Sequence, residues 1–362
     1  MVKSAYIHIP FCKSKCHYCS FVSFNKLELK KDYLNALKNE IQTFYNGETL
    51  KTLYFGGGTP SLLTIMELQS ILRLLQTNSD TEITIELNPD DCDYGYFRQL
   101  YDTGINRLSF GCQSFNDDIL KLINRRHKAQ DVMDAVKSAQ NAGFKNISLD
   151  FIYGLPNQTL EMFCDDLKKA VELGVQHISL YGLKIEEGCH FYNKTPSNMP
   201  DEDEQAEMYL AAIKTLTNLG FEHYEVSNFS IKDYPSKHNL TYWNNEEYYG
   251  FGAGAHGYQN SCRYENLDTI EEYIENPLLR KNSKILSKQE QMEEEIFLGL
   301  RKMKGINTAQ ISQKYGIDFE EKYNKILQKY EGLNLLTKTE QGYAFTQNGV
   351  LVSNVILADF IE

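Results

Sequence analysis

The sequence lacks the features that would place the protein in a membrane or outside the cell. None of its 362 residues belongs to an apolar run approaching the roughly 18 residues that a membrane-spanning helix requires. The N-terminus also lacks the basic, apolar and small-residue segments of a secretory signal. We therefore expect a cytoplasmic protein whose eight cysteines are reduced or bound to metal and not joined in disulfides.

Positive charge and tryptophan are also scarce. The chain has 37 Lys and Arg against 49 Asp and Glu, which gives a formal net charge of −12, and no three basic residues are consecutive. Domains that bind nucleic-acid phosphates usually carry a basic face, so we expect no nucleic-acid partner. Tryptophan occurs once, but 24 Tyr and 19 Phe are available either for ordinary packing or to line a site for a flat, apolar ligand.

Short apolar segments alternate with helical patterns from the N-terminus to about residue 230. The segments with strand character are 5–9, 52–55, 82–87, 105–111, 146–154 and 177–183. The segments with helical periodicity are 27–44, 64–76, 93–102, 128–142, 159–173 and 201–219. Six βα units, or seven if 222–229 is also a strand, predict a parallel sheet with right-handed crossovers. We expect an α/β fold in which residues 1–230 form a (β/α) barrel, partial with about six units or else complete.

The residues with unusual chemistry follow the predicted strands. A cysteine cluster follows the first strand and GGGTP the second, and the later strands end in ELNPD, GCQSF, DFIYGLP and YGL. Active sites of (β/α) barrels lie at the carboxyl ends of the strands. These motifs are therefore expected to meet in one active-site mouth.

From about residue 285 the pattern changes to three helices, a hairpin with its turn near Glu340–Gly342, and a final helix. This order is typical of a winged-helix domain, which we expect over residues 285–362 and connected to the barrel by residues 231–284. Helices that read DNA are basic, whereas 318–331 is nearly charge-balanced. A packing or partner-contact role is therefore the favoured interpretation of this domain.

Three cysteines lie within eight residues, in the spacing C-x3-C-x2-C. A [4Fe–4S] cluster normally takes four thiolates, so the three of Cys12, Cys16 and Cys19 would leave one iron with an open position. That iron can chelate a small molecule through an amine and a carboxylate, both of which S-adenosylmethionine (SAM) offers. Zinc is the competing interpretation, with His17 between the cysteines as a fourth ligand.

Distinctive segments extend from the cysteines through the rest of the chain. They are YIHIPFCKSKCHYCSF, YFGGGTPS, IELNP, RLSFGCQSF, INRRH, DFIYGLPNQT, HNLTYWNNEEYYGFGAGAHGY and NGVLVSNVILADFI. In these segments the chain resembles the radical SAM superfamily. More narrowly, it resembles the group that contains oxygen-independent coproporphyrinogen III dehydrogenase and the HemW-type heme chaperones.

The resemblance implies the roles of individual residues. The ligands of the [4Fe–4S] cluster would be Cys12, Cys16 and Cys19. The positions that match contacts to a first SAM are Tyr6, Gly57, Gly58, Thr59 and Glu86. The positions that match contacts to a second SAM are Tyr18, Gln113, Arg125 and Asp150. A carboxylate suits a hydroxyl or ammonium group and an arginine suits a carboxylate, although Glu86 alone would also suit an ordinary ion pair.

Two departures separate the chain from the dehydrogenase branch. The dehydrogenases carry a further Cys two residues after the third, where this chain has Phe21, and a longer segment before the cluster, where this chain has eleven residues. The segment HNLTYW at 238–243 matches the H-N-x-x-Y-W motif that the chaperone branch associates with heme. The resemblance therefore implies heme contacts by His238, Tyr242 and Trp243, with His256 as an alternative ligand of the heme iron.

The resemblance thus implies a heme chaperone whose cofactors are a [4Fe–4S] cluster, SAM and heme. Its partners would be heme and apo-hemoproteins of respiration, and peripheral membrane association through those partners and a homodimer are further expectations. A different class stays open, an enzyme that oxidatively decarboxylates coproporphyrinogen III by means of a 5′-deoxyadenosyl radical. Another radical SAM enzyme, such as a methyltransferase with a second SAM, is a third class. The remaining cysteines show no metal spacing and are expected to be small packing residues.

Overall fold

Six consecutive parallel strands form the centre of a nine-stranded sheet in the computed structural model, which describes residues 2–361. The strands are β1 (Ser4–Ile9), β2 (Thr52–Gly57), β3 (Glu82–Leu87), β4 (Arg107–Gln113), β5 (Ile147–Tyr153) and β6 (His177–Gly182). They lie side by side in chain order, with Tyr6 opposite Tyr54 and Glu86 opposite Ser109. The predicted parallel α/β sheet built from six βα units is confirmed.

Helices connect these strands and cover the sheet. They are α1 (Lys30–Phe44), α2 (Ile65–Leu72), α3 (Tyr94–Asp102), α4 (Asp117–Leu122), α5 (Ala129–Ala142), α6 (Leu160–Glu172), α7 (His190–Asn193) and α8 (Glu202–Asn218). Side chains fix several starts, as at α2, where Thr64 accepts a hydrogen bond from the backbone of Glu67 and Glu67 accepts one from the backbone of Thr64. No helix within residues 2–361 is long and apolar enough to cross a membrane.

Short strands occupy both edges of the sheet. At one edge, β7 (Glu222–Glu225) and β8 (Asn228–Ser230) form an antiparallel hairpin, and β8 is antiparallel to β6. At the other edge, β9 (Tyr249–Phe251) is parallel to β1. The segment 222–229 is therefore not a seventh βα unit, because a tight turn joins its two strands whereas a parallel crossover needs about a dozen residues. Among the described residues the two edges do not pair, so the barrel is partial.

Residues 231–284 contain a helix and a second sheet. Their elements are α9 (Lys237–Trp243), β10 (His256–Gln259), β11 (Cys262–Asn266), α10 (Ile270–Glu275) and β12 (Arg280–Ile285). The strands β10, β11 and β12 pair antiparallel in that order. The sequence pattern predicted only a connection here, because the β12 strand RKNSKI is almost fully exposed and shows no apolar alternation.

The C-terminal part has the predicted order of helices and hairpin. Its elements are α11 (Lys288–Gly299), β13 (Ile306–Asn307), α12 (Thr308–Tyr315), α13 (Phe319–Gly332), β14 (Leu336–Lys338), β15 (Gly342–Phe345), α14 (Gln347–Leu351) and α15 (Ser353–Ala358). The strand β15 pairs with both β13 and β14, which gives the three-stranded wing of a winged-helix-like domain. Backbone hydrogen bonds of Val226 with Arg301 and of Met303 with Tyr224 attach this part to the edge hairpin. The boundaries at residues 230 and 284 stay a prediction.

The interior of the partial barrel is polar where the strands approach their carboxyl ends. On β4, the side chains of Leu108, Phe110 and Cys112 are fully buried in the core. The alternate residues line a cavity inside the barrel, and they are Arg107, Ser109, Gly111 and Gln113. Because the interior of a closed barrel is normally filled by bulky branched side chains, this polar face indicates space for a ligand.

Candidate functional site

A cavity of about 440 Å³ opens at the carboxyl ends of the central strands, and we call it the mouth cavity. Its volume lies within the roughly 300–1,000 Å³ of small-molecule and cofactor sites. Most residues that the sequence proposes for the cluster and SAM line it together. They are Cys12, Cys16, Tyr18, Cys19, Gly57, Gly58, Thr59, Glu86, Gln113, Arg125 and Asp150. Residues from six different loops and strand ends therefore share one space.

The three cysteines lie on the loop between β1 and α1. Hydrogen bonds of Cys12 with Phe24 (3.0 Å) and of Phe24 with Pro10 (2.7 Å) close this loop at its base. At its tip, the backbone of His17 donates to Ile123 and accepts from Phe191. The loop is thus held at both ends by backbone contacts, which fix the direction in which the thiols point.

The thiols are half-buried and have few polar partners. The Thr59 hydroxyl lies 3.5 Å from Cys12 Sγ, and Arg125 Nη1 lies 3.6 Å from Cys16 Sγ. Burial raises the pKa of the Cys12 thiol, and it raises the pKa of Cys19 to about 11. Positive charge at a bound metal cluster would deprotonate these thiols, because a coordinated thiol loses its proton outright.

The arrangement fits an iron–sulfur cluster better than zinc. Within residues 2–361, no three His, Cys, Asp or Glu side chains are arranged to hold a single metal ion. A zinc ion needs every ligand within about 2.3 Å, whereas a [4Fe–4S] cluster accepts each thiolate on a different iron. The proposed fourth zinc ligand, His17, does not line the cavity that the three cysteines share, and its Nδ1 lies 3.1 Å from the Leu122 carbonyl.

The glycines of GGGTP bring bare backbone to the cavity wall. Gly57 has φ +112°, and a Cβ there would lie 2.5 Å from the His8 ring. A Cβ at Gly58 would lie 2.7 Å from the backbone oxygen of Phe11. Both glycines are therefore required by the close approach of β2 to β1 and the cysteine loop, and they leave the backbone open to a ligand.

Glu86 is fixed at the wall next to these glycines. Its Oε1 accepts a hydrogen bond from the Tyr54 hydroxyl at 2.8 Å, and its Oε2 accepts one from the Gly57 backbone at 3.1 Å. Burial raises the pKa of Glu86 to about 7, and the nearby carboxylate of Asp150 adds to this shift. Its lone pairs suit the hydroxyl or ammonium donors of a ligand.

Three of the residues proposed for a second SAM lie on β4, on β5 and just after α4. Arg125 donates to the side chain of Asn88 at 2.9 Å and to the Gly111 carbonyl, and its Nε is buried without a partner among the described residues. Asp150 accepts hydrogen bonds from Ser109 and Ser148. Gln113 has a left-handed backbone with φ +66°, an uncommon conformation that turns its side chain at the end of β4.

Tyr6 is placed differently from the other proposed SAM residues and does not line the mouth cavity. Its ring stacks on Tyr54 with centroids 6.0 Å apart, and its hydroxyl lies 3.0 Å from His8 Nδ1. Tyr6 therefore supports the wall that Tyr54 and Glu86 form. Its direct contact with SAM stays a prediction.

The HNLTYW motif lies on α9 and divides between two environments. His238 is 1% exposed, and its Nδ1 and Nε2 lie 2.8 Å from the hydroxyls of Thr52 and Tyr242. Both ring nitrogens are therefore occupied, and coordination of heme iron by His238 would require one of these bonds to break. Tyr242 and Trp243 instead line a second cavity of about 650 Å³ between α9, β11 and α11, which we call the outer cavity.

The outer cavity has aromatic and apolar walls with charged residues beside them. Besides Tyr242 and Trp243, its apolar wall contains Tyr248, Leu286, Phe297, Leu298 and Ile361. Its cationic residues are paired, Arg263 with Glu294 at 2.7 Å and Lys284 with Glu290 at 2.5 Å. His256 lies outside both cavities with an exposed side chain 4.0 Å from Glu265.

The chain is similar to known proteins along almost its whole length. The Radical SAM superfamily matches residues 6–170 and the HemN C-terminal domain matches residues 286–352. Heme chaperone HemW of Lactococcus lactis subsp. lactis (strain IL1403) is 40% identical, over 99% of this chain and 97% of its own. Heme chaperone HemW of Bacillus subtilis (strain 168) is 39% identical over 99% of each chain. The chain belongs to the HemW family of the radical SAM superfamily.

The HemW-family chain also shares its fold with a solved structure. Coproporphyrinogen III oxidase (HemN) from Escherichia coli has a TM-score of 0.87 to it, covering 99% of this chain and 90% of the solved one. The two sequences are 24% identical, so this likeness shows a common fold and no more. The resemblance inferred from the sequence motifs is confirmed at the level of superfamily and family.

Several residues of the mouth cavity in this HemW-family chain were not identified from the sequence. They are Tyr54, Asn88, Arg107, Ser109, Ser179, Tyr181, Lys184 and Asn239 among others. Tyr54, Arg107, Ser109, Ser179 and Tyr181 lie within strands, and alternation of polar with apolar residues in RLSFGCQ was the available signal. Asn239 lies on α9 and lines the mouth cavity, so the HNLTYW motif contributes residues to both cavities.

Proposed function

We propose that this HemW-family protein is a heme chaperone that binds a [4Fe–4S] cluster, SAM and heme and transfers heme to apo-hemoproteins. The observation that carries the proposal is the similarity along almost the whole chain to proteins named heme chaperone HemW. The sequence features that favour the chaperone branch, Phe21 and HNLTYW, support it. Phe21 is 68% exposed at the rim of the mouth cavity, where it offers no ligand atom to a metal.

The mouth cavity is the proposed site of the cluster and SAM. Cys12, Cys16 and Cys19 would hold the cluster, which supplies an open iron for the amine and carboxylate of SAM. Gly57 and Gly58 offer backbone groups at the wall, and Glu86 offers a carboxylate for a hydroxyl or ammonium group. Gln113, Arg125, Asp150 and Tyr18 line the same space and are proposed as contacts to SAM as well.

Heme is proposed to bind in the outer cavity, against Tyr242 and Trp243. The volume of about 650 Å³ and the aromatic walls suit a flat macrocycle, and stacking on such rings is favourable. Arg263 and Lys284 would exchange their present carboxylate partners for the propionates of heme. His238 would contribute indirectly, because its hydrogen bond to the Tyr242 hydroxyl holds the Tyr242 side chain in place.

The partners and location follow as further proposals. The net charge of −12 favours protein partners over nucleic acid, and we propose apo-hemoproteins of respiration as heme acceptors. Such acceptors would place a cytoplasmic chaperone at the membrane surface by peripheral contact. A homodimer is a separate proposal, and the winged-helix-like domain is the module proposed for partner contact.

Heme titration followed through tryptophan emission tests the proposed function. Trp243 is the only tryptophan in the chain, so heme in the outer cavity is expected to quench the emission with saturation at one heme per chain. Transfer would then be followed by the visible absorption of heme, which changes when heme moves to apomyoglobin added as a test acceptor. Absence of saturable heme binding by the cluster-loaded protein would contradict the chaperone proposal.

A matched pair of variants locates the heme. Phe297→Glu places a carboxylate in the apolar wall of the outer cavity, and Leu351→Glu makes the same change at a residue that is 38% exposed and does not line that cavity. We expect Phe297→Glu to weaken heme binding at least about tenfold because the carboxylate repels propionates and must be desolvated. Equal heme affinities of the two variants would move heme away from the outer cavity.

The dehydrogenase is the second candidate because the mouth cavity holds all the residues that the sequence relates to two SAM molecules except Tyr6. Anaerobic incubation of reconstituted protein with SAM, a reductant and coproporphyrinogen III separates the candidates. We expect no protoporphyrinogen, while cleavage of SAM measured in the same tube reports whether the cluster is competent. Formation of protoporphyrinogen would replace the chaperone proposal by the enzyme.

A further inference from the structure

Arg107 is a buried cation on the floor of the mouth cavity. It is the first residue of β4 and is 2% exposed, yet it lines the cavity together with Glu86 and Asp150. Its guanidinium forms no ion pair or hydrogen bond within the described residues, and its Nε is buried without a partner. A guanidinium in this position is costly unless its charge is used, because burial removes the hydration of the ion.

The histidines near Arg107 are neutral, so they add no positive charge to the floor of the mouth cavity. His177 binds the hydroxyls of Ser148 and Tyr224 through its two ring nitrogens, each at 2.8 Å. His238 binds those of Thr52 and Tyr242 in the same way. Burial lowers the pKa of His177 well below its usual value and that of His238 to about 3, and Arg107 contributes to both shifts.

Two carboxylates lie on the strands that flank β4 on either side. Glu86 lies on β3 opposite Ser109, one inward position above Arg107, and Asp150 lies on β5 opposite Gly111. Burial raises the pKa of each carboxyl group, and the charge of Arg107 opposes the shift in both. The other ionisable groups around them include Arg125, which lines the same cavity, the phenols of Tyr6, Tyr54, Tyr181 and Tyr242, and the core thiol of Cys112, and burial raises the pKa of each phenol and of the thiol.

We propose that Arg107 is a positioning residue for SAM, which favours the ionised forms of Glu86 and Asp150 from a distance so that both can accept hydrogen bonds from the ligand. The inference rests on the proposed SAM site. An ionised carboxylate accepts through all its lone pairs, whereas a protonated one donates at one oxygen and attracts an ammonium group more weakly because it carries no charge. The cation therefore acts without touching SAM.

The proposal predicts a change in the pH dependence of SAM binding. Without Arg107, the carboxyl groups would hold their protons to higher pH, and SAM affinity would be lost at pH 7 and regained above it. We expect the midpoint of the binding profile of Arg107→Met to move up by about one pH unit, with affinity at pH 7 about tenfold weaker. Arg107→Lys keeps the charge and is expected to restore most of the wild-type profile.

Equilibrium dialysis of SAM against the anaerobically reconstituted full-length protein, from pH 6 to pH 9, is the experiment. The amino group of SAM titrates identically in every sample, so differences between profiles report on the protein. Arg98→Met is the control, since Arg98 is exposed and pairs with Asp102 on α3. Arg107→Gln is a second neutral variant if the methionine variant does not fold. In Glu86→Gln/Arg107→Met, the shift caused by Glu86 should disappear.

The binding profiles distinguish a failure of the role proposed for Arg107 from a failure of the proposed SAM site. A raised midpoint in the neutral variants, restored by lysine, supports Arg107 as a positioning residue. A wild-type profile in the neutral variants, or a loss of affinity that is equal at every pH, would overturn it and leave a structural role. Failure of wild-type protein with a full cluster to bind SAM would instead overturn the proposed SAM site, and the inference with it.

Discussion

The imidazole of His238 and the hydroxyl of Tyr242 are joined by a buried hydrogen bond of 2.8 Å. The two residues are one helical turn apart on α9, and Thr52 holds the other ring nitrogen at the same distance. The ring also stacks on Tyr54, whose hydroxyl binds Glu86. A chain of contacts therefore runs from the wall of the mouth cavity through His238 to a residue that lines the outer cavity.

His238→Ala is expected to destabilise the protein rather than to remove an iron ligand. The substitution leaves the hydroxyls of Thr52 and Tyr242 without their buried partner, and each unsatisfied group costs about 1–3 kcal/mol. We expect a lower midpoint of urea denaturation for the cluster-loaded protein. His256→Ala is the matched control, because His256 is exposed and should change the midpoint little.

The visible spectrum of heme bound to these variants distinguishes the two roles of His238. If His238 only positions Tyr242, residual heme in His238→Ala keeps the wild-type coordination spectrum while its affinity falls. A changed coordination spectrum with unchanged folding stability would contradict the positioning role and identify His238 as the axial ligand.

The fold was predictable from sequence where the hydrophobic periodicity and the turn residues indicate the same element boundaries. TLYF followed by GGGTP, and NISLDFIYG followed by a helical pattern, marked strands whose ends meet at the mouth cavity. The hairpin of β14 and β15 was marked by its turn near Gly342. In contrast, β10, β11 and β12 are held together by pairing with one another and show no local sequence pattern of a strand. The segment RKNSKI of β12 resembles a loop in sequence because its side chains face solvent.

The sequence predicted many residues of the site, but it did not predict how deeply each side chain is buried or which cavity it faces. The cysteine spacing and GGGTP identified groups that line the mouth cavity. The sequence did not show that His238 points into the protein while Trp243 points to the outer cavity, because α9 is only two turns long and both faces carry aromatic residues. Arg107 was overlooked because an arginine in a strand is usually an exposed, paired residue.

Each cluster cysteine is expected to be necessary for the cluster, whereas other cysteines are not. Cys12→Ser, Cys16→Ser and Cys19→Ser should each lose most of the roughly four irons per chain after reconstitution, because serine is a poor substitute for thiolate. Cys164→Ser is the control, since Cys164 is also half-buried but lies on α6. Iron and sulfide analysis checks this prediction. A full iron content in all three cluster variants would place the cluster elsewhere.

Gly58→Ala is expected to weaken both folding and SAM binding. Its Cβ would lie 2.7 Å from a backbone oxygen of Phe11, which cannot move without displacing the cysteine loop, and such overpacking costs about 1–3 kcal/mol. Gly332→Ala is the matched control, because nothing lies within 4 Å of its Cβ and helix propensity should make it neutral or slightly stabilising. Denaturation midpoints and SAM affinity measure both effects. Equal behaviour of the two variants would show that β2 and the loop separate easily.

Glu225 predicts a pH dependence of stability. It is fully buried at the end of β7, where Ser227 and Asn228 donate to its carboxylate. Burial raises its pKa from the usual 4.5 to about 7. The folded state therefore binds this proton more tightly than the unfolded state, and the free energy of unfolding falls as pH rises from about 4.5 to about 7.

Glu225→Gln isolates this contribution because glutamine cannot ionise. We expect the variant to gain stability relative to wild type between pH 5 and pH 8, by about 3 kcal/mol for a shift of this size. Glu222→Gln is the control, since Glu222 is exposed on the same strand and should show the wild-type dependence. Urea denaturation of the three proteins at both pH values gives the comparison. A difference between Glu225→Gln and wild type that is the same at pH 5 and pH 8 would mean that Glu225 titrates near its usual pKa, and that water reaches the junction between the edge hairpin and the C-terminal part.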